Sequence, residues 1–215
     1  MNRQAGFLAV AAAVLAAGCT EMTGDTQFAE EVAAVRAGIA DHIDAREFPV
    51  TSNDALIELL DVEYLVMLNL DNSPINDEGL GFLRNLTMLR HLSLSNTFVS
   101  DEGLATIVKQ HPQLSFLRLD QTTVGDAGIA HLPELKQLVE LSLWQVPMGD
   151  EGCRHLARVT SLRRLSLDET PVTDRGIEHL RGLKDLQRIS LWQTQVTDEG
   201  VARLQKALPK LEINR

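Results

Sequence analysis

Leu65-Val-Met-Leu-Asn-Leu70 is followed by Leu89-Arg-His-Leu-Ser-Leu94. The same Leu-x-x-Leu-x-Leu pattern returns as Leu114 to Leu119, Leu138 to Leu143 and Leu162 to Leu167. Leu186 to Leu191 carries it a sixth time, with Ile189 in the middle apolar slot. The starts at 65, 89, 114, 138, 162 and 186 are separated by 24, 25, 24, 24 and 24 residues. Self-similarity at a fixed period of this length marks a repeat architecture, in which one supersecondary unit is stacked on copies of itself.

Within each copy the pattern alternates apolar and polar, the period of a strand half-buried on one face. A small residue follows (Ser73, Thr97, Thr122, Val146, Thr170, Thr194), then an apolar one (Ile75, Val99, Val124, Met148, Val172, Val196). Asp77, Asp101, Asp126, Asp150, Asp174 and Asp198 then precede apolar residues at helical spacing. An Asp there can accept from the free N–H groups of its own first helical turn, and its charge suits the helix dipole. The glycines two residues on, at 79, 103, 128, 152, 176 and 200, allow neighbouring coils to approach closely. Each strand enters its layer from the same direction, so the strands lie parallel, with helices behind them on the outside of a curve.

From about Tyr64 onward, Leu-x-x-Leu-x-Leu-x-x-Thr-x-Val-Thr-Asp-x-Gly-Leu resembles a leucine-rich repeat, and is similar to the cysteine-containing subclass seen in F-box proteins and many bacterial proteins. The resemblance implies an α/β fold: a curved solenoid with a parallel sheet on its concave face and helices on its convex face. It implies a binding surface rather than a reaction, because such folds host many unrelated functions. The F-box is absent, so no ubiquitin-ligase role follows.

Composition agrees. The chain has 215 residues, 44% hydrophobic and only 4% aromatic, so Leu, Ile and Val must build the core. A formal net charge of -10 with no basic run argues against nucleic acid, whose phosphates need clustered Lys and Arg. No Ser/His/Asp set, phosphate loop or zinc-ligand spacing occurs, so neither an enzyme nor a cofactor is expected. His131, His155 and His179 recur once per repeat, but packed helices stand about 8–10 Å apart, too far for three imidazoles to share an ion. The two cysteines, Cys19 and Cys153, sit in unlike contexts. Cys153 takes the apolar slot of Leu80, Leu104, Ile129, Ile177 and Val201 and reads as a small core residue.

The first residues have a different character. One charge, Arg3, precedes the small apolar run Ala5 to Ala17, too short to span a bilayer comfortably and shaped like a secretory signal. Leu15-Ala-Ala-Gly-Cys19 resembles the lipobox of bacterial lipoproteins, although the preferred Leu lies one residue early. The resemblance implies cleavage before Cys19, lipidation of Cys19, and, since Thr20 rather than Asp follows, outer-membrane sorting in a Gram-negative source. Several acyl chains anchor stably where one does not. Residues 1–18 are then a signal peptide, 19–25 a lipidated tether, 26–62 a helical N-terminal cap and 63–215 the solenoid of about six repeats. Phe28, Val32, Val35, Ile39 and Ile43 fall on one helical stripe over Thr26 to Arg46, a cover for the open end of the stack or a short coiled-coil seam. Thr51 to Leu60 reads as a second short helix with Leu56, Ile57 and Leu60 inward. At the far end, Leu204 to Leu211 imitates Ile107 to Leu114, and Leu211 with Ile213 predicts a last imperfect strand whose edge makes end-to-end pairing of an otherwise monomeric chain possible.

The slot after each pattern reads Asp71, Ser95, Asp120, Trp144, Asp168 and Trp192. Two exposed tryptophans in a polar row are unusual, and strand spacing puts them about 10 Å apart with Asp168 between. The third slot reads Met67, His91, Phe116, Glu140, Arg164 and Arg188. Trp and Arg dominate interface centres. Trp144, Trp192, Asp168, Arg164 and Arg188, with Phe116 and Arg118 beside them, are therefore the candidate protein-binding residues. The function expected is a non-catalytic, lipid-anchored interaction module of a bacterial envelope that binds an unidentified protein on its concave face; the alternative is a scaffold or adhesin without a single patch.

Overall fold

The computed structural model describes residues 23–215; Cys19 and the signal-peptide reading lie outside them. Eight strands form one open, curved sheet in sequence order, every neighbouring pair parallel. They are β1 (His42–Asp44), β2 (Met67–Asn69), β3 (His91–Ser93), β4 (Phe116–Arg118), β5 (Glu140–Ser142), β6 (Arg164–Ser166), β7 (Arg188–Ser190) and β8 (Glu212–Asn214). The six strands read from the pattern are β2 to β7, and β8 is the imperfect last one. The register never slips: Leu68, Leu92, Leu117, Leu141, Leu165 and Ile189 stand side by side and all are buried. A slip by one would turn every Leu out to solvent, so burial itself fixes the register.

The returning segments shorten and lengthen with the repeat. Helices follow β3 to β7 as α2 (Asp101–Gln110), α3 (Asp126–Ile129), α4 (Asp150–Leu156), α5 (Asp174–His179) and α6 (Asp198–Ala207), whereas β1 and β2 are followed by 3-10 turns over Asn53–Asp61 and Gly79–Asn85.

The N-terminal reading needs correction. α1 runs only Gly24–Arg36, with Phe28, Val32 and Val35 buried against the first coil. Gly38, at φ 68, closes it: the Gly38 N–H donates to the Val35 carbonyl and the Ile39 N–H to that of Ala34, a left-handed helix stop that glycine makes without strain. Ile39 is exposed, and Ile43 is buried in β1 rather than on a helix. The cap is thus one helix plus a further repeat. The coiled-coil seam does not exist, because its apolar stripe is covered by the chain's own core. In the next turn Leu56 and Leu59 are buried, and Ile57, read as inward, is exposed.

The aspartate row also behaves differently from the expectation. Each helix is N-capped by the residue before the Asp, through a side chain at Ser100, Thr173 and Thr197 and without one at Gly125 and Gly149. The Asp carboxylate instead reaches the next coil. Asp150 Oδ1 accepts from the Thr173 N–H at 2.8 Å and Oδ2 from the Thr173 hydroxyl at 2.7 Å. Asp101 accepts from the Gly125 N–H, and Asp126 from the N–H groups of Gly149 and Gly152. The row is an inter-repeat clamp rather than a set of separate caps.

One position per repeat is left-handed without being glycine: Asn72, Asn96, Gln121, Gln145, Glu169 and Gln193, with φ of 52 to 62. Most non-glycine residues pay about 1 kcal/mol there. Gln193→Gly is expected to raise stability by up to about 1 kcal/mol, read from the urea midpoint.

At each end of the sheet a side chain satisfies one outward-facing backbone group, which partly blunts the edge. Glu31 Oε2 accepts from the Asp44 N–H on β1 at 2.8 Å. The Gln205 amide donates at 3.0 Å to the Leu211 carbonyl, the group that in each inner repeat accepts from the following strand.

Candidate functional site

The concave face is lined by the polar slots of the strands. At its N-terminal half stand Met67, His91 and Phe116, in register on β2, β3 and β4. The His91 and Phe116 rings lie 5.7 Å apart, and the Arg118 guanidinium sits 5.5 Å from the Phe116 centroid with its Nε 3.6 Å from Asp120 Oδ2. Phe116 and Arg118 thus form one contact unit with Asp120. In the C-terminal half the same row continues as Glu140, Arg164, Arg188 and Glu212. Arg164 pairs with Glu140, its Nε donating at 2.6 Å, and Arg188 pairs with Glu212 at 2.8 Å. The two arginines therefore bridge to carboxylates of neighbouring strands. Ser142, Ser166 and Ser190 form the floor between the two rows.

The tryptophan row carries a second function that the sequence reading missed. Asp71, Asp120 and Asp168 each hold the next repeat's backbone: Oδ1 accepts from the N–H of Ser95 at 2.8 Å, of Trp144 at 2.9 Å and of Trp192 at 2.7 Å. Asp71 and Asp120 also accept from Ser93 and Ser142 hydroxyls on the neighbouring strand. Burial pushes the Asp120 carboxyl up from the usual range, opposed by the Ser142 and Trp144 bonds. Asp168 keeps its second oxygen for Ser166, at 3.2 Å. The alternation of Asp with Ser or Trp along this row was the available signal: an acceptor on one coil, a donor on the next.

Trp144 and Trp192 are unequal. Trp192 is 50% exposed. Trp144 is half-buried, its indole N–H donating at 3.0 Å to Glu169 Oε1 one repeat on. Glu169 Oε2 in turn accepts from the Gln145 amide. Trp144, Asp168, Glu169 and Trp192 thus gather at the carboxyl ends of β5, β6 and β7.

The other conspicuous residues serve the repeat. Cys153 is buried in its leucine slot, and burial raises its thiol far above the ordinary value. His131 and His179 are exposed, and His155 stands 3.5 Å from Glu151. A cleft of about 620 Å³ lies beside the first coil, lined by Gln27, Glu31, Asp44, Arg46, Glu47 and Phe48. Its one arginine, Arg46, is tied to Asp44 at 2.9 Å, and no convergent donor set results.

A family model described as Leucine Rich repeat matches residues 85–108. Among solved structures, internalin C2 (inlC2) from Listeria monocytogenes is similar over 89% of this chain and 94% of that one, with 19% identity and a TM-score of 0.65. A second internalin of that organism, inlF, matches at 16% identity over 80% of this chain and 66% of the other, with a TM-score of 0.44. Among curated proteins no match was found. The repeat model and the eight-stranded parallel sheet define the class: the fold is a leucine-rich-repeat solenoid.

Proposed function

We propose that this chain is a non-catalytic protein-binding module, held to a bacterial envelope by lipid on Cys19 and engaging its partner through the C-terminal half of the concave face. The observation that carries the reading is the half-exposed Trp192, set beside Trp144 on an open sheet face that nothing among the described residues covers. A large aromatic group left in water costs free energy that a partner's contact recovers. The repeat class supports the reading, and the cysteine-containing subclass fits Cys153 in its core slot. Outer-membrane sorting rests on Thr20 alone.

The test uses soluble protein starting after Cys19 as bait in envelope extract. The pair Trp144→Ala and Trp192→Ala is expected to keep the far-UV spectrum and cut recovery of the captured protein at least tenfold, in the range of central aromatic contacts. Undiminished recovery by the double variant would remove the concave patch from consideration. Radiolabelled palmitate incorporation, lost in Cys19→Ala, tests the anchor independently.

A further inference from the structure

We propose that the concave site selects a partner segment presenting an arginine or lysine side chain, received between Trp144 and Trp192 over Asp168 and Glu169. This rests on the reading of the concave face as the binding surface and adds the chemistry of the guest.

Pairing carries the argument. Elsewhere on this face the solvent-facing carboxylates are matched: Glu140 with Arg164, Glu212 with Arg188, Asp120 with Arg118. Asp71 is buried. Asp168 and Glu169 pair with no cation among the described residues; their bonds come from neutral donors, the Trp192 N–H and Ser166 hydroxyl for one and the Trp144 indole and Gln145 amide for the other. Two negative charges are therefore held in fixed orientation beside two indoles. Strands two apart are about 10 Å apart, and a planar guanidinium or an ammonium with its alkyl stem fits between rings at that separation. An indole face attracts a cation, and a carboxylate beside it adds a charge-assisted hydrogen bond. A neutral or acidic side chain would meet the same two carboxylates unpaired.

The face's own arginines do not spoil the site. Arg164 and Arg188 stand four residues before Asp168 and Trp192, on the strands rather than in the turns, and each is neutralised by its Glu. The net charge of -10 favours approach of a basic segment in general, but among the described residues only this point on the face offers solvent-reached carboxylates without a cation.

The chain has two tryptophans, so the indole N–H region of a 15N spectrum holds two side-chain signals, and site occupancy can be read directly. The soluble protein is titrated with N-acetyl-arginine methylamide and, separately, with the citrulline analogue, which keeps the shape and lacks the charge. Both indole signals are expected to move with the arginine probe and to stay in place with citrulline. Asp168→Asn with Glu169→Gln retains the acceptor atoms that hold Trp192 and Trp144, and is expected to weaken the arginine probe about tenfold. Equal shifts with citrulline, no shift with either probe, or undiminished binding by the double amide variant would each overturn the inference. If capture of a protein still depends on both tryptophans while the arginine probe moves neither indole, concave-face binding stands and the basic guest falls. If the probe binds and capture ignores the tryptophans, the reverse holds.

Discussion

Gly176→Ala is expected to destabilise the protein by about 2–4 kcal/mol, although alanine is the better helix former by about 1 kcal/mol. Gly176 lies in α5, and a Cβ there would meet Asp150 Oδ1 at 2.5 Å, Val172 Cγ1 at 2.9 Å and Asp150 Cα at 3.2 Å. The carboxylate cannot swing away freely, because both its oxygens are held by Thr173. Opening the gap means separating two coils or giving up the clamp. Asp150→Ala alone strands the Thr173 N–H and hydroxyl and should cost about 2 kcal/mol. In that background Gly176→Ala should cost clearly less than in the parent, since the nearest obstacle has gone, so the double variant falls short of the sum. Gly182, whose added Cβ meets nothing within 4 Å, is the control, and its change to Ala should stay within about 0.5 kcal/mol. Urea midpoints at constant slope measure all four. Strict additivity would show that the carboxylate is not what excludes the side chain.

The same pair shows where sequence reading succeeded and where it stopped. Asp-x-Gly at a fixed period was legible as a packing requirement, but the partner of the Asp was not. An Asp at the head of a helix has two good sets of donors, its own first turn and the cap of the next coil, and only the stacking distance between coils decides. The inner strands were legible because Leu at three fixed slots leaves one register that buries them all. β1 was not, because Ala40 and Ala45 stand where later repeats carry Leu, while Ile43 happens to continue the helical spacing of Phe28, Val32 and Val35. The decisive local signal was Gly38, a helix stop embedded in an otherwise periodic stripe.

The candidate site was legible in position and only partly in chemistry. Slot arithmetic put Trp144, Asp168 and Trp192 in one row, and the structure places them there. It could not show that Asp168 holds the Trp192 backbone, that Arg164 and Arg188 are spent on Glu140 and Glu212, or that Glu169 faces the indole of Trp144. Those facts depend on which way long side chains turn, and repeat position does not encode that. They shift attention from the arginines to the two carboxylates left without cations.

His111→Leu is expected to stabilise the protein most strongly in acid. His111 is completely buried, and neither ring nitrogen makes a well-formed hydrogen bond, the Leu86 carbonyl offering only a weak one. It caps α2 in the slot that Leu86, Leu135, Val159, Leu183 and Leu208 fill elsewhere, each closing its turn so that its carbonyl receives the N–H three residues on. The repeat of β3 has an imidazole at this place in the aliphatic column. Burial holds its pKa at about 4, against 6.5 for the free side chain, with the Leu86 carbonyl pulling weakly the other way. Above pH 6.5 neither the folded nor the unfolded chain carries the charge, and no penalty arises. As the pH falls from 6.5 to 4 the unfolded chain binds a proton that the folded chain refuses, so stability drops over that window by about 3 kcal/mol and levels off below it. Leucine removes this loss. It should also add about 1 kcal/mol at neutral pH, where a poorly satisfied polar ring is replaced by the side chain its neighbours in the column carry. Unfolding midpoints of the parent and variant at pH 7.5, 6, 5 and 4 measure the gap. A gap that fails to widen between pH 6.5 and 4 would place the acid sensitivity elsewhere, though not at Glu31, where burial raises the pKa and gives a contribution of the opposite sign. Protonation of Glu31 in the folded state favours folding as pH falls, so its replacement by Gln should raise stability on the neutral side of that titration and change it little in acid, whereas His111→Leu acts most in acid.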